Sequence, residues 1–107
     1  MNEKQALIEG ILNIVLECCN VNEDGQPLIT KEDIISKKRN DDVVMARCIF
    51  VSQLMFAGIS RMAVGVYLQR DERSIRNILN QAHTYRMTSK LYRKLEAETT
   101  LESKDLF

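Results

Sequence analysis

Apolar residues recur three and four positions apart along nearly the whole chain. That spacing suits amphipathic helices and leaves little room for strands. In residues 3–19, Leu7, Ile8, Ile11, Leu12, Ile14, Val15 and Cys18 form one wide apolar stripe. Val44, Cys48, Val51 and Met55 repeat the spacing over residues 41–57. Ile49, Phe50 and Leu54 widen that second stripe, so its helix is expected to be the central, most buried one. No stretch alternates as a strand would, and no segment repeats. The expected fold is all-α, with five to six helices in a single domain over 1–97 and a flexible tail over 98–107.

Turn and cap chemistry separates the stripes. Asn20, Asn22, Asp24, Gly25 and Pro27 break the first helix. Thr30 can cap a short helix at about 31–36, with Asp33 at the capping-box position. Asn40 is expected to cap the helix over 41–57, where Asp41 and Asp42 suit the positive end of its dipole. Gly58 is placed to end that helix. Ser60 can cap about 61–68, a turn follows at Gln69–Arg70, and Asp71 can cap about 72–86. Thr88 or Ser89 can cap a last helix reaching about Ala97. A short helix, a tight turn and a longer helix with a polar outer face make the outline of a helix-turn-helix.

The 15 basic and 15 acidic residues balance, but they are sorted along the chain. Residues 1–35 set Lys4 and Lys31 against seven acids. Residues 36–94 set twelve Lys or Arg against Asp41, Asp42, Asp71 and Glu72. Residues 95–107 set Lys104 against four acids. A basic middle suits a polyanion-binding face, although a solvated basic surface explains the charge alone equally well.

Other functional classes find little support. Cys18, Cys19 and Cys48 are odd in number and no secretory signal accompanies them, so plain thiols are expected rather than a disulfide framework. Neither the adjacent cysteines nor the single His83 has partners for a metal, so no metal or cofactor is expected. No apolar run is long enough to span a membrane, and the N-terminus is too acidic and amphipathic for a signal peptide. A cytoplasmic, nucleoid-associated protein with no membrane or small-molecule partner is the expectation. His83 and Tyr85 have no carboxylate at helical spacing, so catalysis is not expected.

The helix from Glu72 carries the most informative pattern. Arg73, Arg76, Asn77 and Asn80 stand at i, i+3, i+4 and i+7 and share a face. An α-helix fits the major groove of B-DNA, and its N-terminal residues reach base edges. Arg suits guanine O6 and N7, and Asn suits adenine N6 and N7. An ordinary surface helix would also turn such residues outward.

Further segments carry a resemblance. "ILNIVLECCNV", "DIISKKR", "VVMARCIFVSQLM" and "ISRMAVGVYLQRDERSIRNIL" follow one another over about residues 5–90. In order and spacing they resemble the C-terminal DNA-binding domain of the bacterial replication initiator DnaA. That resemblance implies a helix-turn-helix in a Trp-repressor-like all-α arrangement, with double-stranded DNA as partner. It implies a minor-groove and backbone arm at Lys37, Lys38 and Arg39, and a backbone contact at Arg47. It puts Ser60 and Arg61 on phosphate, with Arg70 and Asp71 opening the recognition helix and Asp71 holding the turn. Ser74 stands at a Thr position of the family's base-reading signature. Glu72 replaces the family's His, and Arg73 replaces its Ser or Thr. Those changes fall on residues that read the initiator's own box, so DNA binding is implied and recognition of that box is not. Glu72 would repel phosphate but can accept a hydrogen bond from cytosine N4. Ala46-Arg47-Cys48 stands where the family has Pro in its long helix. The turn before Arg70 is one residue shorter than the family's, and the loop after the first helix is longer. No phosphate-binding G-x-x-x-x-G-K-[S/T] motif occurs, so a free-standing domain is expected, as a small regulator or a replication-associated factor.

The competing expectation is a protein-docking module built on the same fold, favoured by Glu72 and the acidic flanks. A lone recognition helix gains specificity from a second half-site, which leaves a homodimer or a protein partner open.

Overall fold

Six α-helices and no strand are present among residues 2–19 and 29–106, which the computed structural model describes. They are α1 (Glu3–Cys19), α2 (Lys31–Ile35), α3 (Asp41–Phe56), α4 (Arg61–Leu68), α5 (Glu72–Thr88) and α6 (Lys90–Ser103), the last followed by a 3-10 turn at Lys104–Leu106. The expected loop residues Asn20, Asn22, Asp24, Gly25 and Pro27 lie outside the described residues.

Helix α3 is apolar or small on nearly every side from Val43 to Leu54, as a central helix must be. Ala46 and Ile49 through Leu54 are almost wholly buried, and every other helix packs against α3. Ile8, Ile11, Leu12 and Val15 of α1, Ile75, Ile78 and Ala82 of α5, and Tyr92 and Leu95 of α6 complete one core.

Local chemistry sets most helix starts. Thr30 Oγ1 accepts from Asp33 N (3.3 Å) and Asp33 Oδ2 accepts from Thr30 N (3.1 Å), closing a capping box. Ser60 caps α4, Asp71 caps α5 and Ser89 caps α6, each accepting the amide three residues on. Asn40 does not act as expected: it precedes α3, but its side chain makes no capping bond. Gly58 follows α3 at a φ of 86°, the left-handed conformation expected of it.

The turn between α4 and α5 is tight because of two residues. Gln69 takes a φ of 56°, and the amide of Arg70 donates back to Gly65 O at 2.8 Å. A Cβ on Gly65 would stand 2.6 Å from Arg70 O, so only glycine lets the chain close there.

The expected end near Ala97 is corrected. Helix α6 continues to Ser103, with Thr99 and Ser103 fully buried. Gln53 of α3, also fully buried, explains the extra turns. Its Nε2 donates to Thr100 Oγ1 (2.8 Å), and its Oε1 accepts from Ser103 Oγ (3.1 Å). The α5–α6 corner is pinned by Arg86, whose Nε and Nη2 donate to the two oxygens of Glu96 at 2.7 and 3.0 Å. Arg86 also donates to Ser52 of α3, and Tyr92 stacks on Tyr85 with ring centres 5.2 Å apart.

Candidate nucleic-acid interface

Helix α5 buries Ile75, Ile78 and Ala82. Its periodicity then turns Arg73, Arg76, Asn77 and Asn80 to solvent, and all four are exposed. Among the described residues no carboxylate lies within 4.0 Å of Arg73 or Arg76, so both charges are available. The helix begins at Asp71, whose Oδ1 accepts from Ser74 N at 2.8 Å. That amide bond holds the Asp71 carboxyl below its usual range.

Beside α5 lies the basic segment after α2. Lys37, Lys38 and Arg39 are exposed, but their roles divide. The Lys38 ammonium pairs with Asp33 at 2.7 Å, whereas Lys37 and Arg39 have no carboxylate within 4.0 Å among the described residues. The segment is held from beneath by Arg47, whose side chain bonds protein carbonyls. Arg47 is 5% exposed. Its Nε donates to Ile34 O (2.8 Å), its Nη1 to Lys38 O (3.1 Å), and its Nη2 to Asp33 O (3.0 Å) and Ser36 O (2.8 Å). These include carbonyls that α2 leaves open at its C-terminus, so Arg47 caps that helix from a distance. Its guanidinium is spent inside the protein. Arg70 also donates through Nη2 to Ser36 O, and its Nε is buried without a partner among the described residues. Burial pulls both guanidinium groups below their usual range, and the Arg70 charge adds to the effect on Arg47.

A groove of about 530 Å³ separates this arm from α5. Lys37 and Arg39 line it from the arm, Arg70 from the turn, and Ser74, Asn77 and Gln81 from α5. Arg47, Tyr85 and one acid, Asp41, also border it. Six expected site residues therefore meet here: Lys37, Arg39, Arg47, Arg70, Ser74 and Asn77. Arg73, Arg76 and Asn80 lie outside the groove on the solvent face of α5. Ser60, Arg61, Asp71 and Glu72 stand apart at the start of α4 and α5. Arg61 Nε and Glu72 Oε1 are 3.8 Å apart, beside the exposed Met62 and Val66. Gln81 was not singled out in the sequence, although it lies one helical turn after Asn77 and shares its face.

The acidic flanks of the sequence do not line this groove. Helices α1 and α6 pack together. Burial pushes the Cys18 thiol up there, and Glu102, Glu98 and Glu17 raise it further. Other acids of the flanks sit on the basic middle instead: Asp33 pairs with Lys38 and Glu96 with Arg86.

No group of three His, Cys, Asp or Glu among the described residues is placed to hold a metal ion, and no described helix is long and apolar enough to cross a membrane. No protein-family model matches the chain, and neither does any curated protein or solved structure.

Proposed function

We propose that this protein binds double-stranded DNA, with α5 entering the major groove and the 37–39 arm meeting the backbone or an adjacent minor groove. One observation carries the reading. The unpaired cations Lys37 and Arg39 share a groove with the polar flank of α5, next to that helix's exposed row of Arg73, Arg76, Asn77 and Asn80. A helix with an outward Arg and Asn row has the donors that base edges accept. Cations beside it supply the sequence-independent affinity that positions the helix. The resemblance to the DnaA C-terminal domain, with its Trp-repressor-like arrangement, supports the same assignment of helix and arm. The role that fits is a small regulator or replication-associated factor acting in the cytoplasm.

The test is a fluorescence-anisotropy titration with labelled random duplex DNA at several salt concentrations. The expected result is binding that weakens linearly in log–log salt, with a slope of roughly 0.9 per phosphate contact. Absence of binding at low salt overturns the reading.

A second reading rests on the start of α4. Met62 and Val66 are 74% and 76% exposed, one turn apart, and flanked by the Arg61–Glu72 pair. Such a patch suits a protein-docking surface, and a pull-down that fails when both residues become Ser would support it.

A further inference from the structure

The geometry points to Arg47 and Arg70 as positioning residues: a clamp that sets where the 37–39 arm stands relative to α5, and neither of them a DNA contact. The inference rests on the DNA-binding reading above. Two guanidinium groups converge on the single carbonyl of Ser36. Arg47 holds further carbonyls on both sides of Lys37, at Asp33, Ile34 and Lys38. No carboxylate within 4.0 Å neutralises either arginine among the described residues. Packing like charges this way opposes folding, a cost that the carbonyl bonds of Arg47 offset. Residue 70 ties the arm to the α4–α5 turn. Its amide closes the α4–α5 turn on Gly65 O while its side chain hooks the arm. The element that launches α5 therefore also fixes the arm. Lys38 is occupied by Asp33, so the arm offers Lys37 and Arg39 to phosphate. A loose arm would spread those two charges over many orientations, and α5 would bind without them.

The test separates a clamp from a contact by keeping the charge. Arg70→Lys retains a cation near DNA but loses the fork that reaches Ser36 O. The full chain is titrated against random duplex DNA as wild type, R70K, the pair K37A/R39A, and all three changes together; thermal melting confirms that each is folded. A clamp predicts that R70K lowers the salt slope by about 2 and weakens binding about 50-fold at 0.1 M salt, the loss expected for two phosphate contacts. It also predicts that R70K adds no more than twofold in the K37A/R39A background. Arg47→Lys, which frees the arm from the buried side, should give the same slope as R70K. An unchanged slope in R70K overturns the clamp, as do losses that multiply in the combined variant. Wild-type protein that does not bind at all overturns the DNA reading itself, and the clamp with it.

Discussion

Gly65 and Asp71 each hold one end of the same turn, by different physics. A side chain at 65 meets the Arg70 carbonyl, which is backbone and cannot step aside. Gly65→Ala should therefore cost about 1–3 kcal/mol, measured as a lower urea midpoint with an unchanged slope. Asp71 acts through its charge and its amide bond. Its folded pKa lies below the ordinary 3.8, so its contribution is complete above that value and fades as pH falls through the folded one. Asp33 shifts the same way, its carboxylate favoured first by Lys38 and then by the Thr30 amide. Thermal stability should be level from pH 5 to 7 and fall below about pH 4. Asp71→Asn keeps a capping oxygen without the titration, so it should reduce that acid loss in a melting series. At the same scale lies the least legible residue. The resemblance implies a DNA contact at Arg47, yet the structure holds its side chain on protein carbonyls. Its four acceptors are 9 to 14 residues away in sequence, and nothing in local spacing announces them.

At the scale of elements, starts were more legible than ends. Thr30, Ser60, Asp71 and Ser89 each bond an amide three residues on, an interaction contained within four residues of sequence. The end of α6 depends instead on Gln53, roughly fifty residues earlier. Thr99, Thr100 and Ser103 look like a polar, frayed tail until that buried amide is placed against them. Deleting residues 98–107 should leave both ends of the Gln53 side chain unsatisfied in the core. The expected cost is about 1–3 kcal/mol for the orphaned amide, plus the apolar surface uncovered on α1 and α3. Urea unfolding of the shortened chain checks it. A midpoint equal to the full chain's would show that the last turns contribute nothing.

Across the whole molecule, the decisive feature is where charge collects. Lys37, Arg39, Arg47 and Arg70 border the groove between arm and α5, whereas Glu17, Glu98 and Glu102 collect around Cys18 where α1 meets α6. On the DNA reading, cations in the arm and on α5 should behave differently. Arg39→Ala should weaken binding to every sequence and reduce the salt slope by about 1, whereas Arg73→Ala should shift which sequence is preferred by roughly 1–3 kcal/mol. Titration of both variants against a selected site and a random duplex separates these outcomes; equal losses on both duplexes for both variants would contradict the division. By itself the sequence determined the all-α class, the caps at Thr30, Ser60 and Asp71, the short turn after α4 and the polar face of α5. All of these arise from contacts between residues a few positions apart, which spacing records directly. Only the tertiary structure decided that Arg47 turns inward, that Lys38 is spent on Asp33 once the arm folds back, that α6 runs on to Ser103, and that Lys37 and Arg39 face Ser74, Asn77 and Gln81 across one groove. Most of these rest on partners brought together from distant segments around α3, and helical periodicity carries no record of which distant element a side chain will meet.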